Sequence, residues 1–147
     1  MTIPIILSGK DVVASSITGS GKTAAFVLPI MQRYFHAAAV GYIRALIVTP
    51  TRELAIQIHE EFEKLNKFTK LESCLVIGGS SIQRQEQILR NNPEVVITTP
   101  GRIIDLVMNS RSVGIENLEM IVFDEADKLL ELGFEAEIKQ IMSHVHE

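Results

Sequence analysis

Five short runs rich in β-branched and apolar residues, separated by longer amphipathic stretches, decide what this chain can fold into. Residues 11–15, 44–49, 73–77, 95–98 and 119–123 read as strands, and the periodicity between them reads as helices. Strands separated by a helix's length of chain cannot close as hairpins; they pair in parallel through right-handed crossovers. The expected fold is therefore α/β, a mainly parallel sheet covered by helices on both faces. At 147 residues, with 46% apolar and 22% charged content, the chain suffices for one core, so a single domain over 1–147 is expected. Sheets of this kind bind ligands beyond their strand C-termini. The residues just after each run are thus where chemistry is to be sought.

After the first run stands Thr18-Gly19-Ser20-Gly21-Lys22-Thr23, which leads into a helical stretch. In a strand, glycine loop and helix arrangement, successive backbone N–H groups can cradle phosphate oxygens. Lys22 can reach the outer phosphates and the Thr23 hydroxyl can ligate magnesium. The general pattern has a glycine five residues before Gly21, where this chain has Ser16. The helix is expected from Gly21 to Tyr34, kinked or broken at Pro29, with residues 36–41 as a flexible connection.

After the last run comes Asp124-Glu125-Ala126-Asp127, three carboxylates in four residues. Such a cluster is costly unless a cation compensates it, and with a phosphate loop in the same sheet that cation is magnesium on a nucleoside triphosphate. Asp124 would hold the metal, mainly through water. Glu125 would orient and deprotonate the water attacking the γ-phosphate, and Asp127 would support both from behind. The blander reading is a helix N-terminus whose acidic residues offset the dipole.

The remaining runs end in Pro50-Thr51-Arg52-Glu53-Leu54, in Gly78-Gly79-Ser80-Ser81 and in Thr99-Pro100-Gly101-Arg102. A threonine and an arginine at a helix start offer free N–H groups, a hydroxyl and a guanidinium fork to a phosphate, and paired glycines permit close approach of a backbone. Each segment also makes sense as a helix cap. Three on one rim favour a groove.

The net charge of −4 does not exclude a nucleic-acid partner, because backbone N–H groups and two or three arginines suffice for a local contact. No apolar run approaches the length of a membrane span, and no membrane partner is expected. Cys74, the single cysteine, lies in the apolar run Cys74-Leu75-Val76-Ile77 and is expected to pack in a strand rather than react. The histidines His36, His59, His144 and His146 lack the company of a metal site.

Taken in order, Thr18–Thr23 (TGSGKT), Pro50–Leu54 (PTREL), Gly78-Gly79, Thr99–Arg102 (TPGR) and Asp124–Asp127 (DEAD) resemble the first RecA-like domain of a DEAD-box ATP-dependent RNA helicase, over nearly the whole chain. The segments ELAIQI, RQEQIL and LLELGFEAEI look like the ribosome-assembly helicases of the nucleolus. The resemblance implies a RecA-like P-loop NTPase fold in which Thr18 to Thr23 and Asp127 bind ATP, with Mg2+ at Thr23 and Asp124. Lys22, Asp124 and Glu125 would serve hydrolysis. Thr51, Arg52, Gly78, Gly79, Thr99, Gly101 and Arg102 would grip the sugar-phosphate backbone of one RNA strand with little sequence preference. ATP and RNA together would close this domain on a second one, locally prying apart an RNA duplex.

Three elements of the family's pattern are absent: an adenine-reading glutamine ahead of Met1, a Ser-Ala-Thr segment after Glu147, and the second RecA-like domain with its arginine fingers. The chain is therefore expected to be truncated at both ends and nearly inactive alone. The strand ending in Ser-Ala-Thr would lie between the strand feeding the phosphate loop and the one ending in the acidic cluster. The alternatives are a small kinase or GTPase, whose acceptor, lid and base-reading residues are not found, and a non-catalytic nucleotide-binding scaffold. The expected setting is intracellular, the nucleus or nucleolus, with the cytoplasm as the alternative.

Overall fold

The computed structural model describes residues 2–17, 21–38 and 40–145. Four strands, β1 (Ala45–Val48), β2 (Ser73–Val76), β3 (Val95–Thr98) and β4 (Met120–Phe123), form one sheet in the order β2-β3-β1-β4. Every pairing is parallel. The helices are α1 (Thr2–Leu7), α2 (Lys22–Tyr34), α3 (Arg52–Leu65), α4 (Ile82–Leu89), α5 (Pro100–Asn109), α6 (Ala126–Glu131) and α7 (Glu135–Val145). A 3-10 turn, Asn66–Phe68, follows α3.

The central strands are apolar throughout because both faces of the sheet are covered. Ala45 and Ile47 of β1 and Val95 and Ile97 of β3 pack under α2 and α3, against Val27, Ile30, Ile58 and Phe62. The alternate residues Leu46, Val48 and Val96 face the other way, against Leu89, Ile103, Leu106, Leu129 and Ile141. This is the expected α/β architecture, helices on both faces of a parallel sheet.

Four of the five expected strands form, each within a residue or two of its expected bounds. The fifth does not: residues 11–17 carry no regular structure, and the Val13 and Ile17 side chains point into solvent at 104% and 84% exposure. The reason is the lack of a partner. β4 pairs with β1 alone, so among the described residues nothing lies on its outer side to which this segment could be laddered. A three-residue apolar stretch has no stability as a strand without a neighbour.

The helix after the loop begins at Lys22 and continues unbroken through Pro29, which is buried with Phe26, Val27 and Ile30. Of the expected phosphate loop, Thr18, Gly19 and Ser20 lie outside the described residues. Cys74 is buried in β2, where loss of solvent pushes its thiol up to about 12, in keeping with a packing role.

Candidate active site and groove

The strand ends are level. Val48 is in register with Thr98 and with Phe123, and Thr98 with Val76. The residues that follow therefore line one rim in the order Gly78–Ser81, Thr99–Arg102, Thr49–Arg52, Asp124–Asp127. At about 4.8 Å per strand, this rim spans about 14 Å. The N-termini of α3, α4 and α5 all open on it, each presenting unpaired N–H groups and the positive end of a dipole.

Thr51 caps α3, its Oγ1 accepting a bond from the Leu54 N–H at 3.2 Å, which leaves the hydroxyl proton to donate elsewhere. Arg52 is the first residue of that helix, and its Nη1 donates to the Gly78 carbonyl at 3.4 Å. At Gly79 the backbone has φ +87°, and a Cβ there would stand 2.6 Å from Arg52 Nη1. The backbone conformation calls for a glycine, and a larger residue there would also push the Arg52 guanidinium from its place. Thr99 stands at the N-cap of α5 without a side-chain cap bond, and Pro100 pre-sets the first turn. Arg102 Nη1 donates to the Ser80 carbonyl at 3.0 Å and to Gln85 Oε1 at 3.2 Å. A Cβ at Gly101 would meet nothing within 4 Å, so internal packing does not demand a glycine there. Both arginines are consequently moored to the carbonyls of one glycine turn, and the three segments form a single rim.

At the other end lie Lys22, Asp124 and Glu125. The Asp124 N–H donates to the Val48 carbonyl at 2.9 Å, which carries the β1–β4 ladder up to the acidic cluster. Burial raises the Asp124 carboxyl above its ordinary range; Lys22 opposes the rise and the neighbouring Glu125 adds to it. Glu125 has φ 50° and ψ 52°, a left-handed backbone rare for a residue with a Cβ, and precedes α6. Its carboxylate is 12% exposed and pairs with Lys128 Nζ at 2.8 Å, which holds the Lys128 ammonium above the usual lysine range. Asp127 sits exposed in the first turn of α6. Gly21, at φ +78°, turns the chain into α2, and the half-buried Thr23 is its second residue.

The donors at this end are hard: a carboxylate starved of solvent, a second one beside it, and a hydroxyl on the adjacent helix start. Such a set suits magnesium held by one or two carboxylates together with phosphate oxygens. Among the described residues no group of three or more potential ligands forms a protein-only metal cage.

Two participants in this geometry escape sequence reading. Gln85 is buried at 4% exposure beneath Arg102, and a lone glutamine on an amphipathic helix carries no signal. Lys128 lies three residues after Glu125 on a helix, a spacing that does foretell contact.

The family described as DEAD/DEAH box helicase matches residues 1–147. "DEAD-box ATP-dependent RNA helicase 28" of Oryza sativa subsp. japonica is 55% identical over 95% of this chain and 18% of its own length. "Probable ATP-dependent RNA helicase ddx27" of Dictyostelium discoideum is 50% identical, again over 95% and 18%. "ATP-dependent RNA helicase DRS1" of Eremothecium gossypii is 51% identical over 97% of this chain and 20% of its own. The chain thus spans about a fifth of the length of these curated relatives.

Proposed function

Because the chain belongs to the DEAD/DEAH box helicase family, we propose that it is the ATP-binding, first RecA-like domain of an ATP-dependent RNA helicase, acting with a second such domain. The observation that carries this reading is the half-buried Asp124 carboxylate, offset by Lys22 and set beside Glu125, on the same rim as the moored arginines.

The tasks we assign rest on the chemistry of each residue and on its position in the sequence. Residues Thr18 to Thr23 bind the nucleotide's phosphates, and Lys22 neutralises the outer ones. Magnesium, when bound at Thr23 and Asp124, supplies charge neutralisation to the phosphate oxygens. Glu125 accepts the proton of the attacking water. Its ion-pair partner Lys128 is an exposed, solvated lysine, so release of the carboxylate for this task costs little. Asp127, in the first turn of α6, fixes the neighbourhood of these groups.

Along the rim, Thr51, Arg52, Gly78, Gly79, Thr99, Gly101 and Arg102 hold one RNA strand by its phosphates and sugars. Helix N-termini and guanidinium forks make such contacts without reading bases, so binding is largely indifferent to sequence. The likeness of ELAIQI, RQEQIL and LLELGFEAEI to nucleolar ribosome-assembly helicases supports ribosome biogenesis as the setting. Among the described residues no helix is long and apolar enough to cross a membrane.

The test is ATP turnover by the intact protein with and without single-stranded RNA, before and after Lys22→Ala. RNA should stimulate the wild type, and the variant should lose at least about a hundredfold in rate while keeping its fold. Wild-type turnover in Lys22→Ala would refute the assignment. ATP binding without RNA-stimulated turnover in the wild type would favour a scaffold instead.

A further inference from the structure

We propose that Gln85 is a positioning residue for the RNA groove, a buried tether that sets the guanidinium of Arg102 against the glycine turn. The proposal rests on the reading of Arg102 as a phosphate-gripping residue. Gln85 is on α4, 4% exposed, and uses both ends of its amide. Its Nε2 donates to the Ile77 carbonyl at 2.8 Å, at the end of β2, and its Oε1 accepts from Arg102 Nη1 at 3.2 Å, on α5. The same Nη1 donates to the Ser80 carbonyl at 3.0 Å. One nitrogen of the fork is thereby committed to the protein. Neither Nε nor Nη2 takes part in these two bonds, so an edge of the guanidinium is left to face a phosphate.

The amide ties together three segments that follow two different strands, β2 and β3. It bonds where β2 gives way to the Gly78–Ser81 turn, it sits on the helix that the turn introduces, and it holds the arginine that follows β3. A residue merely filling the core would need no such pair of bonds. A buried amide that lost Arg102 would leave its acceptor unpaired, so the bridge favours one position of the arginine over its many other rotamers.

The experiment is a double-mutant cycle in the intact protein. Affinity for a fluorescein-labelled single-stranded oligouridylate is measured by anisotropy with a non-hydrolysable ATP analogue, for wild type, Gln85→Met, Arg102→Ala and the double variant. Gln85→Met should weaken binding about five- to tenfold, the worth of one hydrogen-bonded contact. In the Arg102→Ala background the same change should matter by less than about twofold, because the tether then has nothing to hold. The slope of log affinity against log salt should fall by about one phosphate equivalent in Gln85→Met, as in Arg102→Ala. Gln85→Glu keeps the acceptor for Arg102 and should bind closer to wild type than Gln85→Met does. If Gln85→Met does not fold, Gln85→Asn, too short to span both partners, carries the same cycle. Additive losses, an unchanged salt slope, or a Glu variant no better than Met would each overturn the tether while leaving the RNA reading standing. Failure of the wild type itself to bind the oligonucleotide would overturn both.

Discussion

Asp124 and Glu125 show how much of a site is decided residue by residue. Burial makes the Asp124 charge expensive, so its carboxyl titrates above its ordinary value of 3.8 in the folded state, Lys22 offsetting part of the rise. In the window above 3.8 the folded state holds a proton that the unfolded state has already lost. Stability therefore falls as pH rises through that window, and at neutral pH the ionised group is a net burden on the fold. Asp124→Asn should accordingly raise the thermal unfolding midpoint at pH 7, with the gain shrinking toward zero as pH drops below 3.8. A lower midpoint at pH 7 would mean that the carboxylate is held by partners that outweigh its desolvation. Glu125 adds a backbone cost, since a left-handed conformation takes about 1–2 kcal/mol from a residue with a Cβ. A fold that accepts two such costs in succession, at a strand end facing Lys22, is set up for a ligand that relieves the first and uses the second.

At the scale of elements, what secures the rim is at the opposite end of the sheet. Arg44, just before β1, donates through Nε to Glu119 Oε1 at 2.9 Å and through Nη2 to Oε2 at 3.4 Å, just before β4. Its guanidinium also lies 4.1 Å from the centre of the Tyr34 ring at the end of α2. This fork and stack pins β1, β4 and α2 together at their far ends, so that Val48 and Asp124 come level at the other. Arg44's side chain is 11% exposed, and leaving it unpaired should be costly. Glu119→Ala should destabilise the fold by about 1–3 kcal/mol in urea titration, with nucleotide affinity unchanged at temperatures where the variant is folded. Wild-type stability in that variant would show the fork to be decorative.

This element scale is also where sequence reading succeeds and fails most clearly. The runs at Ala45–Val48 and Val95–Thr98 are legible because a strand covered on both faces must be apolar along its whole length. The run at 11–15 looks equally strand-like, but a strand exists only with a neighbour, and pairing is a non-local property. α1 is not anticipated at all. The rim segments could be located from their positions after strands, together with the turn and cap residues that mark them. Their mooring by Gln85 could not, because the amide's two partners lie on elements whose juxtaposition only the folded sheet creates.

Over the whole molecule, one edge of one sheet holds both groups of residues: the pair that would act on ATP and the arginines that would hold RNA. Three helix N-termini supply local positive potential on that edge, which is how a chain of net charge −4 can present a surface to a polyanion. These two groups would serve one reaction but do different work in it. The most direct test is the steady-state ATPase of the intact protein titrated with single-stranded RNA, comparing wild type with Arg102→Ala and Glu125→Gln. Arg102→Ala should raise the half-saturating RNA concentration about tenfold, leaving the rate at saturation within about twofold. Glu125→Gln should cut the saturated rate by about 10²–10⁴ and leave the RNA requirement where it was. A rate indifferent to RNA, or an Arg102→Ala variant equally slowed with RNA and without it, would contradict the account.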